Sequence, residues 1–394
     1  MAIAAKIQTI LENASWIRKM FEQGVQLKAR HGEENVFDFS LGNPNLEPPA
    51  RFKEILIDVA NASSSGDHGY MPNAGYASVR NAVAKFVSGE QGVAVTANEV
   101  IMTCGAAGAL NVILKAILDP GDEVITPAPY FVEYSFYADN HGGVLKTVPT
   151  KSDFTLDLQA IEAAVTPSTK AVLINSPNNP SGQIYSKESL LQLGALLTAE
   201  GRRLKRTLYL ISDEPYRKIT FDGVQAPGLF SCYAEGIIAT SYSKDLSIPG
   251  ERIGFLAVNP QATYKEDLLA GMVLANRILG YVNAPALMQR TVEFLQGVSV
   301  DAEIYEKKRE ILCAGLSECG YEFIKPKGAF YLFPKTPVAD DVAFVRALQE
   351  ELILTVPGSG FGAPGYFRIA FCVDDETIKR AMPGFERVLK RFRS

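Results

Sequence analysis

The feature that most constrains the fold is an alternation of short apolar runs with helical patterns, beginning near residue 100. In the first helical segment, apolar residues recur at i, i+3, i+4 and i+7 from Leu110, which gives one apolar helix face. Such alternation is typical of β-α-β units. The sequence therefore predicts an α/β protein whose large domain has a seven-stranded, mostly parallel sheet flanked by helices. The predicted strands are 100–103, 123–126, 145–148, 171–175, 208–212, 237–240 and 254–258.

The pattern changes after about residue 288, where a long, charged helical stretch over 291–316 leads into KGAFYLFPK and later GYFRIAF. This change predicts a second, smaller α+β domain. With 394 residues and roughly 150 residues per domain, two or three structural parts are expected. We expect an N-terminal arm that also contributes to the small domain (1–50), a large domain (51–288) and a C-terminal small domain (289–394).

Composition argues against several functions. The chain has 39 basic and 44 acidic residues and no Lys/Arg-rich run, so neither a nucleic acid nor a membrane is an expected partner. Its five cysteines form no CxxC pair and it has three histidines, which argues against a metal site and against Ser-His or Cys-His catalysis. The chain shows neither a signal peptide nor a run of about 18 apolar residues, so a cytoplasmic location with reduced thiols is expected.

Four motifs follow predicted strands, where ligands of open α/β sheets bind. They are TCGAAG (103–108), NSPNNPSG (175–182), DEPY (213–216) and SYSK (241–244), with Arg252 shortly beyond. Each alone has a simpler interpretation: a tight strand-to-helix turn, a cluster of turns, a helix N-cap and a solvated lysine. Together they point to one kind of ligand.

In this order, the motifs resemble those of the fold-type I aminotransferases, which use pyridoxal phosphate, and most closely the aspartate aminotransferase-like class I/II group. The resemblance extends over nearly the whole chain, from Gly42-Asn43-Pro44 to the segment around Arg368. It implies a transaminase that binds pyridoxal 5'-phosphate and moves an amino group between an L-amino acid and a 2-oxo acid by a ping-pong mechanism. It also implies a homodimer with shared active sites.

The resemblance implies the catalytic residues as well. Lys244 matches the lysine that holds the cofactor's aldehyde as an imine and later moves the substrate's proton. Asp213 matches the carboxylate that keeps the ring nitrogen protonated. Asn179 and Tyr216 match donors to the ring's phenolic oxygen, and Phe131 matches the aromatic residue that stacks on the ring, although it also fits ordinary core packing.

The remaining implied contacts concern the cofactor's phosphate and the substrate's carboxylate. The implied phosphate-binding residues are Gly105, Ala106, Ala107, Ser241, Ser243 and Arg252, together with Tyr70 from the neighbouring subunit. Arg368 matches the arginine that grips the substrate's α-carboxylate through two hydrogen bonds, and Asn175 and the Gly42 backbone match supporting contacts.

The substrate's side chain is less constrained. One branch of the aspartate-using relatives reads the distal carboxylate with a lysine where this chain has Ala107; another uses an arginine of the partner subunit. Arg277 lies close to that second position, although it also fits a charge on a helix surface. We expect aspartate or glutamate as donor and 2-oxoglutarate as acceptor. Trp16, in the arm, leaves open a neutral or aromatic amino acid as substrate.

Other functions fit the same residues. A pyridoxal-phosphate-dependent β-lyase of this fold would retain every residue named above. A non-enzymatic regulator built on the same body normally carries a helix-turn-helix domain before it, and only a short segment precedes Gly42 here. A catalytically inactive relative would be expected to lack Lys244, Asp213 or Arg368, and all three are present.

Overall fold

The computed structural model describes residues 2–12 and 16–393. Its helices are α1 (Ala5–Glu12), α2 (Trp16–His31), α3 (Ala50–Asn61), α4 (Ala77–Gln91), α5 (Gly105–Ile117), α6 (Glu133–Asn140), α7 (Leu158–Ala164), α8 (Lys187–Leu204), α9 (Lys265–Ile278), α10 (Ala286–Glu293), α11 (Ala302–Cys319), α12 (Asp341–Glu350) and α13 (Asp375–Arg393). Its strands are β1 (Phe37–Asp38), β2 (Val100–Thr103), β3 (Glu123–Ala128), β4 (Val144–Pro149), β5 (Thr169–Asn175), β6 (Tyr209–Asp213), β7 (Gly236–Ser241), β8 (Gly254–Val258), β9 (Tyr331–Leu332), β10 (Ile353–Leu354), β11 (Val356–Pro357) and β12 (Phe367–Ala370).

The centre of the protein is a seven-stranded sheet with the strand order β2-β8-β7-β6-β5-β3-β4. The neighbours from β4 to β7 pair in parallel, and β8 runs antiparallel to both β7 and β2. The predicted fold class is therefore confirmed, and all seven predicted strands are present with small differences at their ends.

Helices cover both faces of this sheet, and strand β5 shows why its central residues, 171–174, are all apolar. Val172 and Ile174 lie in a core cluster with residues of α3, α4, α8 and α10. Ala171 and Leu173 face the opposite side, in a cluster with residues of α5 and α9. Successive side chains of a strand point to opposite faces, so the middle of a strand that is buried on both sides is apolar at every position.

A smaller region contains an antiparallel sheet in the order β11-β12-β9 and a parallel pair, β1 with β10. Its core includes Phe344, Phe367 and Phe385, from α12, β12 and α13. Through β1, a segment near the N-terminus pairs with β10 of this C-terminal region. In the described ranges, no helix is both long enough and apolar enough to cross a membrane.

The helix predicted over 291–316 is interrupted, and that prediction was wrong. Helix α10 ends at Glu293 and α11 begins only at Ala302. Gly297, between them, has a φ of 85°, which a helix does not allow. The side chain of Asp301 then accepts a hydrogen bond from the Glu303 amide and caps α11.

Gly254, the first residue of β8, positions two of the strand-end motifs. It pairs with Thr103 on one side and Ser241 on the other, so the loops after β2 and β7 lie close together. A Cβ atom at position 254 would lie 2.3 Å from the Thr240 carbonyl oxygen and 2.9 Å from the Cα of Gly105. Backbone on both sides therefore leaves no space for a side chain.

We predict that Gly254→Ala lowers the free energy of unfolding by about 1–3 kcal/mol, because the added methyl group must displace backbone. Denaturant unfolding of the purified variant measures this change. The matched control is Gly89→Ala in α4, where a Cβ would meet no atom within 4 Å. An equal loss of stability in both variants would contradict the close packing around Gly254.

Candidate active site

A cavity of about 620 Å³ lies between the carboxyl ends of strands of the large sheet and the smaller region. Most of the residues that the sequence singled out line this cavity. They are Gly42, Ala106, Ala107, Phe131, Asn175, Asn179, Asp213, Tyr216, Ser241, Ser243, Lys244, Arg252 and Arg368.

Three neighbouring parallel strands end at this cavity in polar residues. Asn175, Asp213 and Ser241 are the last residues of β5, β6 and β7, and Asn175 pairs in register with Asp213. The Asn175 side-chain amide donates to the Asp213 carbonyl oxygen at 2.8 Å. This bond fixes the backbone that presents the Asp213 carboxyl to the cavity.

The Asp213 carboxyl is buried, and only one of its oxygens has a partner. The Tyr134 hydroxyl donates to Oδ2 at 2.6 Å, whereas Oδ1 has no hydrogen-bond partner within the described part of the chain. Burial raises the pKa of Asp213 to about 7. A ligand with a cationic N–H group would therefore both satisfy Oδ1 and favour the ionised carboxylate.

Lys244 is buried in the same cavity. Its Nζ donates to the Gly42 carbonyl oxygen at 2.7 Å and lies 5.5 Å from the centre of the Phe330 ring. Burial, together with the nearby Arg368 and Arg252 guanidinium groups, lowers the pKa of this amine to about 8. Near neutral pH, a larger fraction of Lys244 is therefore an uncharged nucleophile than for an ordinary lysine.

Arg368 is a buried cation with neutral partners. Its side chain is 2% exposed, and its Nη atoms donate to Asn179 Oδ1 at 3.0 Å and to the Ser40 carbonyl at 2.5 Å. Over the residues that the structure describes, no carboxylate forms an ion pair with this guanidinium, and its Nε has no partner. A buried, unpaired guanidinium suits a ligand carboxylate.

One corner of the cavity is suited to binding a phosphate. Helix α5 begins at Gly105, just behind the cavity wall, and Ala106 and Ala107 line the cavity in its first turn. Buried Ser241 and Ser243 and the Arg252 guanidinium complete this corner. Free amide groups at a helix N-terminus, two hydroxyls and a guanidinium together bind an anion well.

Three predicted site residues lie elsewhere. Tyr70 is 94% exposed, and Arg277 is exposed on α9. Trp16 is the first residue of α2, but its side chain lies outside the described residues. None of the three lines the cavity of the single chain as described.

The sequence assigned no role to three titratable residues that line the cavity, Tyr331, Glu133 and Tyr137, or to Tyr134, which donates to Asp213. Glu133 is half-buried, and burial raises its pKa; it has no cationic partner in the described ranges. A signal for Tyr331 was available, because the KGAFYLFPK motif stands out in the sequence. Tyr134 could have been suspected because it follows Phe131 by only three residues, and its amide donates to the Phe131 carbonyl at 3.1 Å.

Comparison with known proteins gives consistent matches over most of the chain. Residues 34–384 match the model of a family described as aminotransferase class I and II. A probable aspartate/prephenate aminotransferase of Thermus aquaticus is 33% identical over 372 residues, 92% of this chain and 94% of that protein. The aromatic-amino-acid aminotransferase 2 of Thermococcus litoralis is 30% identical over 402 residues, 99% of each chain.

Solved structures match equally well. An amino transferase from Eubacterium rectale has a TM-score of 0.96 at 39% identity, covering 100% of both chains. The aspartate aminotransferase from Thermus thermophilus with maleate has a TM-score of 0.88 at 28% identity, covering 99% of this chain and 100% of that one.

The pKa of Asp213 predicts a gain in stability on removing its charge. Folding raises this pKa from 3.8 to about 7, so the folded state binds an extra proton between these values and stability falls as the pH rises through that window. Asp213→Asn keeps the shape but carries no charge. We expect its ligand-free unfolding free energy to exceed that of the wild type by about 2–4 kcal/mol at pH 8 and by less towards pH 4.

Chemical denaturation at several pH values measures this difference. Asp58→Asn, on the exposed surface of α3, is the control for the same chemical change. A gain for Asp213→Asn that is independent of pH would contradict the assigned pKa.

Proposed function

The chain belongs to the aminotransferase class I and II family, as the sequence predicted, and we propose that it uses pyridoxal 5'-phosphate to move an amino group between an L-amino acid and a 2-oxo acid. The observation that carries this proposal is the meeting of a buried amine, a buried carboxyl and a buried guanidinium in one cavity, from Lys244, Asp213 and Arg368. Among the described residues, none of these groups has an oppositely charged partner, and the cofactor and substrate together would supply all three.

The cavity fits the proposed cofactor. When bound, pyridoxal phosphate supplies an aldehyde that links to amines and a ring that withdraws electrons from the substrate. The unpartnered Oδ1 of Asp213 is suited to accept the ring's N–H, and the corner formed by α5, Ser241, Ser243 and Arg252 is suited to the phosphate. Phe131 lines the cavity and supplies an aromatic face.

Lys244 has the properties of the proton carrier. Its lowered pKa makes Nζ able to accept a proton near neutral pH and to return it. Gly42 holds this nitrogen through its carbonyl oxygen, so the amine stays in the cavity when it is not covalently linked. We assign to Lys244 Nζ the transfer of the proton on the substrate's α-carbon.

Arg368 binds the α-carboxylate that every amino acid and 2-oxo acid carries. Its guanidinium packs on the rings of Tyr331 and Phe361, at 4.8 and 4.9 Å from their centres. These contacts restrict the orientation of the guanidinium, and a fixed orientation favours two parallel hydrogen bonds to a carboxylate.

We also propose a homodimer with shared active sites. Tyr70 is almost fully exposed, although it lies in the motif that matches a phosphate-binding loop of the neighbouring subunit. Leu274 and Ile278, on the same helix as Arg277, are also exposed. An exposed apolar helix face beside these polar residues is consistent with a surface that a second subunit covers.

For the substrate, we propose aspartate or glutamate as donor and 2-oxoglutarate as acceptor, with Arg277 of the partner subunit as the reader of the distal carboxylate. The Thermus relatives named for aspartate support this choice. One observation favours the second candidate, a neutral or aromatic amino acid: within the described cavity, the acid Glu133 is present and Ala107 takes the place of a lysine. The Thermococcus relative named for aromatic amino acids supports that alternative.

Lys244→Ala should abolish the reaction. We expect the cofactor's absorbance band in the near-ultraviolet to visible range to lose its lysine-linked form and turnover to fall about a thousandfold or more, because no other amine is placed to act. Lys379→Ala, on the exposed surface of α13, is the control. Full turnover by Lys244→Ala would refute the assignment. Release of ammonia, instead of accumulation of the aminated cofactor after one half-reaction, would indicate a β-lyase.

A substrate panel separates the two candidates. If Arg277 reads the distal carboxylate, Arg277→Ala should lower kcat/KM for aspartate by about 10²-fold and leave that for phenylalanine unchanged, because only aspartate loses a charged partner. Arg203→Ala, on exposed α8, is the control for losing a surface arginine. A wild-type preference for phenylalanine or alanine, together with a gain in aspartate use by Glu133→Gln, would establish the second candidate instead.

A further inference from the structure

We propose that Tyr331 is a positioning residue for transamination: its hydroxyl orients the hydroxyl of Tyr216 towards the cofactor, and its ring holds the guanidinium of Arg368 for the substrate. This inference rests on the proposed function. It concerns a residue in the KGAFYLFPK motif, to which the sequence assigned no role.

The two tyrosine hydroxyls form a direct, buried pair. Tyr331, the first residue of β9, is 2% exposed, and its Oη lies 2.8 Å from the Oη of Tyr216. The two rings meet edge to face, with an interplanar angle of 83°. Both residues also line the cavity. The contact therefore forms part of the cavity wall, where the core of the smaller region meets the cavity.

The direction of this hydrogen bond decides what Tyr216 is able to do. A tyrosine hydroxyl has one proton to donate. If Tyr331 donates to Tyr216, the proton of Tyr216 is free for the ring oxygen of the cofactor. Burial raises the pKa of Tyr331 to about 12 and that of Tyr216 above its usual range, so both hydroxyls keep their protons at neutral pH. An anionic ring oxygen is the strongest acceptor available, so it favours this direction.

The ring of Tyr331 has a second contact, with the substrate-binding arginine. The Arg368 guanidinium lies 4.8 Å from the centre of this ring and donates to Asn179 Oδ1 at 3.0 Å. Asn179 is itself a match for a donor to the cofactor's ring oxygen. Tyr331 therefore contacts both the group that binds the α-carboxylate and a group that binds the cofactor.

Gly42 leaves the space that the Tyr331 hydroxyl needs. A Cβ atom at position 42 would lie 1.8 Å from Tyr331 Oη, closer than any non-bonded contact allows. The Gly42 carbonyl also accepts the hydrogen bond from Lys244. A side chain at position 42 would therefore push Tyr331 away from Tyr216.

Three variants test the two roles separately. Tyr331→Phe removes the hydroxyl and keeps the ring, whereas Tyr331→Leu removes both. Tyr321→Phe is the matched control, because the buried Tyr321 hydroxyl donates to the Phe385 carbonyl at 2.9 Å in the core, outside the cavity. The readouts are the pH midpoint of the absorbance change of the cofactor-loaded enzyme, which reports protonation of its link to Lys244, and KM and kcat measured separately.

We expect Tyr331→Phe to raise the absorbance midpoint by about half a pH unit. A hydrogen bond donated to the ring oxygen reduces the negative charge on that oxygen, and this charge stabilises the proton on the link to Lys244. Without Tyr331, the Tyr216 hydroxyl is a weaker donor, so the link keeps its proton up to a higher pH. KM should change less than about twofold, because the ring still stacks on Arg368. Tyr331→Leu should raise the midpoint similarly and raise KM about tenfold, because the guanidinium loses an aromatic face. The control should change neither.

The result that overturns the inference is a midpoint for Tyr331→Phe that is unchanged, or one that falls, which would mean that Tyr216 donates to Tyr331. Gly42→Ala provides a second test that retains the tyrosine: it should raise the midpoint as Tyr331→Phe does, and an unchanged midpoint would also count against the proposal. Failure of the proposed function is distinguishable, because the wild type would then show no lysine-linked absorbance band. In that case this inference would fail with it.

Discussion

The parallel pairing of β5, β6 and β7 is the constraint on which the site depends. It places Asn175, Asp213 and Ser241 at the ends of three adjacent strands, and the Asn175 amide then fixes the backbone of Asp213. The antiparallel strand β8 adds Gly254, which pairs with the ends of both β2 and β7. The start of α5 and the loop that carries Lys244 therefore lie at the same cavity, because the strands that precede them, β2 and β7, both pair with β8.

The site contains buried ionisable groups that have no oppositely charged partner among the described residues. Asp213 and Lys244 each have a pKa displaced towards the neutral form by burial, and Arg368 is buried without a carboxylate partner among the described residues. Each such group lowers the stability of the folded chain, because its desolvation is not balanced by an opposite charge. In the proposed function, the cofactor and substrate bring the complementary charges, and the same imbalance would provide affinity for them.

The smaller region supplies two residues of the cavity that the large sheet does not provide. Arg368 comes from β12 and Tyr331 from β9, and both meet a segment near the N-terminus. Backbone hydrogen bonds attach that segment, since the Ala370 amide donates to the Phe39 carbonyl at 2.9 Å and Arg368 reaches the Ser40 carbonyl. In the proposed function, the substrate and the cofactor therefore contact different parts of the chain, and the geometry of the site depends on how these parts pack.

The sequence by itself determined the fold class, the seven strands of the large sheet and the motifs that follow them, because apolar alternation and turn residues are local properties of the chain. It did not predict the break between α10 and α11, since the helical spacing continues across Gly297 while the backbone does not. Only the tertiary structure decided the contacts of Tyr134 with Asp213 and of Tyr331 with Tyr216, and the isolation of Arg368 from carboxylates. Tyr331 and Tyr216 are 115 positions apart in sequence, and Lys244 and Gly42 are 202 apart. No local pattern encodes such neighbours, because their distances follow from packing of the whole chain.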